Sequence, residues 1–250
     1  MAATVWAAAR TGFITGTLLA KDGASLGGGK VFLFNAASGP PPSPEKYWRV
    51  PDEVIPIEAN GGFTAEIPPG TYYLGAIKPL NEKGQIRPPH EGDLVYFGSH
   101  RRYVVKSGQT IKLGTVRGAV PFVPPSGTVA GLTTITGVVV DEAGKPVNGA
   151  LVFAYLSPNM VGKPLFVSEK AGADGRFVLR VDGSGSYFLK ARDIYAGGAP
   201  NVGSFIGTYG EKTPVAVVTR AGSSTGGITI KVVEFAGRGP GANRSGPPPR

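Results

Sequence analysis

The chain contains no cysteine. That excludes disulfides, thiolate metal sites, covalent haem attachment and a cysteine nucleophile. It has two histidines and two tryptophans in 250 residues, and the histidines, His90 and His100, stand in no metal-ligand spacing. No apolar run approaches the roughly 18 residues that span a bilayer as a helix, and no long helical period appears. Also missing are a G-x-S-x-G elbow, a Walker loop and a dinucleotide fingerprint behind a strand. Adjacent carboxylates such as Asp52 and Glu53, or Asp141 and Glu142, face opposite ways in extended chain. Together these absences argue against an enzyme and imply neither cofactor nor metal.

The formal charge is +9, yet it is spread evenly: residues 1–130 hold 13 Lys and Arg against 9 Asp and Glu, residues 131–250 hold 13 against 8. A nucleic-acid binder concentrates its charge in a stripe, so no nucleic-acid partner is expected. A weak attraction to acidic glycans or a membrane surface fits the excess better.

What the chain has instead is glycine and proline, 39 and 23 residues, with 41% hydrophobic content. That mixture suits many short strands joined by tight turns. It also says one thing twice. Ile14, Gly16, Gly23, Gly28, Val31 and Phe34 recur at an offset of 121 as Ile135, Gly137, Gly144, Gly149, Val152 and Tyr155. Asn60, Gly61, Phe63 and Ile67 recur at an offset of 114 as Asp174, Gly175, Phe177 and Val181, and Gly70, Tyr72, Leu74 and Ala76 at 115 as Gly185, Tyr187, Leu189 and Ala191. Loop length differs between the copies while the strand pattern does not.

Within each copy, Phe63, Ala65 and Ile67 alternate with polar residues, as do Phe177, Leu179 and Val181, the period of a strand with one buried face. Residues 110–116 and 228–233 read as closing strands. Asn60 with Gly61, and Asp174 with Gly175, suit turns at positive φ, while Gly28 and Gly149 would let backbones approach. The opening strands, 12–19 and 133–140, carry no Lys, which disfavours a self-formed isopeptide.

The copies resemble the carboxypeptidase regulatory-like domain, whose pattern runs I-x-G-x-V-x-D-x-x-G-x-P-V-x-G-A-x-V, D-G-x-F-x-L-x-V and G-x-Y-x-L-x-A. The second copy matches through Ile135, Gly137, Val139, Asp141, Gly144, Pro146, Val147, Gly149, Ala150 and Val152, and then through the Asp174 and Gly185 segments. The first departs at Ala20, Ser25, Gly29 and Asn60, where the second has Asp141, Pro146, Ala150 and Asp174. The resemblance implies an all-β chain of two tandem seven-stranded antiparallel β-sandwiches, transthyretin-like or Ig-like, occurring as non-catalytic appendages of exported and surface proteins.

The expected organisation is a leader or truncated signal remnant at 1–11, a first sandwich at 12–119 and a Pro-rich linker at 120–131. A second sandwich at 132–235 and a disordered Gly/Pro/Arg tail at 236–250 follow. The expected role is a structural or protein-interaction module of an exported or surface assembly (periplasmic, cell-surface or extracellular). The alternatives are a carbohydrate-binding module, or an accessory region of a larger surface enzyme or multihaem cytochrome.

Binding candidates come from residues the core does not use. Phe32 and Phe34 point away from Val31 and Leu33, as Phe153 and Tyr155 do from Val152 and Ala154. Either the long connections at 78–103 and 192–215 cover these aromatics, or the face meets the other copy or a partner. The first copy also carries a longer Pro-rich excursion ending in Tyr47, Trp48 and Arg49, which could stack sugar rings or a peptide. Tyr96, Phe97, His100, Arg101, Arg102 and Tyr103 form the other loop group. A metal site from His90, Glu91, Asp93 and His100 is conceivable there, exposed polar loop residues being the plainer account.

Overall fold

A computed structural model describes residues 11–81, 87–98, 100–124, 131–195 and 201–235. Residues 1–10 of the expected leader, the tail and residues 125–130 of the expected linker lie outside the described residues. Every regular element among those described is a strand.

Alternating burial sets the first layer. Ile14, Leu18 and Ala20 of β1 (Gly12–Ala20) and Phe63, Ala65 and Ile67 of β4 (Gly62–Ile67) turn inward, and the two strands pair antiparallel from Gly12 opposite Ile67 to Thr17 opposite Gly62. The facing layer is built on β5 (Gly70–Lys78). It pairs with β2 (Lys30–Asn35), β6 (Leu94–Phe97) and β7 (Tyr103–Val105), and β3 (Glu53–Pro56) extends β2 at the edge. β8 (Thr110–Pro121) runs parallel to β1 and ends antiparallel to β6, joining both layers into one eight-stranded sheet. It continues two residues beyond the expected boundary at 119, and the next residue, Phe122, is buried.

The second half repeats these pairings. β9 (Thr133–Val140) lies antiparallel to β12 (Arg176–Val181) and parallel to β16 (Ser224–Lys231), as β1 does to β4 and β8. β13 (Gly185–Arg192) pairs with β10 (Leu151–Tyr155), β14 (Phe205–Thr208) and β15 (Ala216–Thr219), and β11 (Phe166–Val167) extends β10. Here the closing strand breaks at Val232, and its continuation β17 (Val233–Glu234) pairs with β14, leaving a six-stranded and a three-stranded sheet.

The all-β expectation holds. The purely antiparallel one does not, because the first and last strands of each half run parallel. A parallel neighbour needs a long crossover, and here the rest of the half supplies it. Gly137 sits where that neighbour comes closest: a Cβ there would stand 2.0 Å from the Ile228 carbonyl oxygen. Gly61 and Gly175 do adopt positive φ, 90° and 71°. Gly28 and Gly149 have open space around the Cβ position, so their φ of 81° and 77° requires glycine there, and crowding does not.

Candidate functional site

Strand alternation sorts the aromatics as expected. Val31 and Leu33 enter the core of the first half and Val152 and Ala154 that of the second, while Phe32, Phe34, Phe153 and Tyr155 share a third buried cluster between the halves. Val95 and Phe97 from the 78–103 connection and Tyr195 from the 192–215 connection join it. Loop cover and contact between the copies are thus both realised.

The end of the Pro-rich excursion enters this cluster through Trp48, and Tyr47, Trp48 and Arg49 are all buried. Trp48 is 6% exposed and packs edge-on against Phe32 and Phe97, with ring centroids 5.8 and 6.0 Å away. Its indole N–H donates to the Tyr195 hydroxyl at 3.3 Å. Tyr47 goes further, inserting into the core of the second half, where its ring meets Phe166 at 5.1 Å and its hydroxyl donates to the Pro41 carbonyl. Burial, reinforced by the charge of Asp182, pushes the Tyr47 phenol well above its ordinary pKa.

Backbone bonds fix the same segment. The Val167 N–H donates to the Trp48 carbonyl at 3.2 Å and the Val50 N–H to the Leu165 carbonyl at 2.9 Å, with Arg49 opposite Phe166. Residues 48–50 therefore extend the sheet edge at β11, and three residues later the same chain is β3, at the edge of the first sheet.

Arg49 is 1% exposed. Its guanidinium donates to the carbonyls of Asn35, Gly39 and Pro40 and pairs with Asp52 at 3.1 Å, lying over the Phe34 ring. Burial pulls its pKa down, and Asp52 acts in the opposite direction. Tyr47, Trp48 and Arg49, expected as stacking surfaces for sugar rings or a peptide, are corrected by this packing, which buries all three within the chain. Phe32 and Phe34 instead take up the contact between the halves that was one of the two expectations for them.

The other loop group divides. Tyr96 and Phe97 are half-buried and Tyr103 is buried, while His100, Arg101 and Arg102 are exposed. Arg101 covers Tyr103 at 5.3 Å, and Arg102 lies over Tyr73 at 5.7 Å and donates to its hydroxyl. The role of Asp93 is not legible in the sequence. Its buried carboxylate accepts from the Arg87 guanidinium at 2.6 and 3.3 Å and from the N–H groups of Leu80 and His90. Burial alone would raise its pKa, but these bonds and the Arg87 charge outweigh it and hold the group below the usual carboxylate range. With both oxygens engaged, Asp93 organises the loop, and among the described residues no group of three His, Cys, Asp or Glu is placed to hold a metal.

Beside the aromatic cluster a cleft of about 540 Å³ opens between the halves, its walls formed by Val50, Val54, Phe153 and Tyr155 and its basic groups by Lys163, Lys190 and Arg192. Sequence reasoning missed it because its sides come from segments a hundred residues apart.

No family model matches the chain, and no curated protein matches it. Solved structures do. The TIE protein of Bacillus anthracis is similar at 17% identity and a TM-score of 0.27, over 90% of this chain and 34% of that one. A streptococcal ancillary pilin is similar at 15% identity and a TM-score of 0.24, over 90% and 63%. The shaft pilin SpaA from Lactobacillus rhamnosus GG is similar at 13% identity and a TM-score of 0.24, over 90% and 99%. The chain thus spans about a third of the first protein and just under two thirds of the second. These superpositions are loose, and fold and site rest on this chain's own residues.

Proposed function

We propose that this chain is a non-catalytic structural module that holds distance and transmits force within an exported or surface assembly. It is built from two carboxypeptidase regulatory-like sandwiches, residues 12–119 and 132–235. The observation that supports this reading is the parallel pairing of first and last strands in both halves. The chain enters β1 beside the start of β8 and leaves from the far end, so tension along it loads the whole ladder in shear. All of those hydrogen bonds must then give way together.

Two further features favour a structural role. The recessed ions Arg49, Asp52 and Asp93 are engaged in holding loops, and the 47–49 arm ties the second half to the first. The exported setting comes from the carboxypeptidase regulatory-like resemblance. A sugar-binding reading is weakened by the burial of Tyr47 and Trp48.

Single-molecule pulling tests the proposal, and the cysteine-free chain accepts specific thiol handles. Handles at Thr11→Cys and Val123→Cys load β1 against β8 in shear, whereas Thr11→Cys with Gln109→Cys peels the strands from one end. The expected result is a several-fold higher unfolding force for the first pair, since forced unfolding reads the barrier directly. Equal forces would remove the basis for a force-transmitting role.

A further inference from the structure

The cleft between the halves combines features that the 47–49 arm, in joining them, does not need. Its apolar surface comes from Val54, Phe153 and Pro164, and three basic side chains, Lys163, Lys190 and Arg192, reach it. Its volume of about 540 Å³ falls within the range of small-molecule sites, roughly 300–1,000 Å³. Among the described residues the one carboxylate on its lining is Asp52, and that charge is answered elsewhere. Its Oδ2 accepts from the Asn35 N–H at 2.7 Å and from Arg49 at 3.1 Å.

The basic groups are held differently. Lys190 lies over the Tyr155 ring at 5.3 Å and reaches the Met160 carbonyl at 3.4 Å. Lys163, 58% exposed, makes a long 3.9 Å pair with Glu53. Burial, and then the charge of Arg192, hold the Lys190 ammonium below its ordinary pKa. A net positive site with apolar walls favours an anion whose charge is carried on an apolar body, because a fully hydrated ligand would not bury those walls.

We infer that this cleft binds a small carboxylate borne on an apolar ring system, its carboxylate meeting Lys190 and Lys163 and its rings lying against Phe153 and Val54. Such an anion restores to the Lys190 ammonium what burial removes, through charge-assisted hydrogen bonds, and gains a second, exposed cation in Lys163. The binding is separate from the mechanical role: an empty cleft leaves the shear prediction unchanged, and equal pulling forces leave the cleft in place.

The test titrates the full chain with three probes and follows the Trp48 indole N–H by NMR, since its acceptor Tyr195 lines the cleft. The probes are 2-naphthoate, 2-naphthylmethanol with the same rings and no charge, and digalacturonate with carboxylates on polar rings. Naphthoate should shift the indole signal and bind about tenfold or more tightly than either of the others. Lys190→Met should weaken naphthoate about tenfold and leave naphthylmethanol unchanged. Lys163→Met, at an exposed side chain that keeps the fold, should weaken it about threefold. The inference is overturned if naphthoate and naphthylmethanol bind alike, if neither binds at millimolar concentration, or if folded Lys190→Met and Lys163→Met both bind naphthoate as the parent does. Tighter binding of digalacturonate would overturn the apolar-body assignment.

Discussion

Asp93 shows how a single carboxylate can organise a loop. It is 1% exposed and accepts hydrogen bonds from one guanidinium and two backbone N–H groups. Its folded pKa lies below the ordinary value, so its contribution is complete above about pH 4 and is lost as pH falls through the lower folded value. Denaturant unfolding of the parent should therefore show a stability loss below about pH 4 that Asp93→Asn lacks. At neutral pH the variant should be less stable by about 3 kcal/mol, because the buried ion pair with Arg87 loses one of its two charges. Parallel stability curves for parent and variant from pH 2 to 7 would contradict this role. Nothing in the sequence singled out Asp93 from its exposed neighbours Glu91 and His90, since its partners Leu80 and Arg87 meet it only once the loop closes.

The strands were legible where the physics is local. Period-two patterning placed β4 and β12, the alternate residues Tyr72, Leu74 and Ala76 marked the core face of β5, which is buried on both sides, and the opposition of Phe32 and Phe34 to Val31 and Leu33 separated core from outward face. The 47–49 arm was read as available surface because a tyrosine and a tryptophan behind a Pro-rich stretch look the same whether they bind a ligand or a neighbouring sheet. What decides is the unpaired edge of β11, over a hundred residues later, whose backbone groups the arm satisfies. Placing Tyr47 inside the second core has a measurable consequence. Tyr47→Ala should cost about 3–5 kcal/mol, the range for deleting a large core aromatic. Hydrogen exchange should quicken in β10, β11 and β13, with β1 and β4 keeping their protection. Uniform loss across both halves, or none, would contradict that placement.

At the scale of the molecule, the repeat seen in the sequence reappears as a repeated pairing scheme, while the differences between the copies make the join. The excursion that only the first copy has supplies the backbone bridge to β11, the Tyr47 side chain in the second core and the Trp48 ring between the faces. Each of those aromatic side chains stabilises by roughly 1.5–3 kcal/mol on full burial, so separating the halves would expose several such contributions at once. The 47–49 arm thereby makes the two halves one body. Backbone 15N relaxation of the intact chain tests it most directly: amides in β1–β8 and in β9–β17 should report one shared rotational correlation time, that of the full 25.8 kDa particle. Two shorter and unequal times, one for each half, would contradict the account.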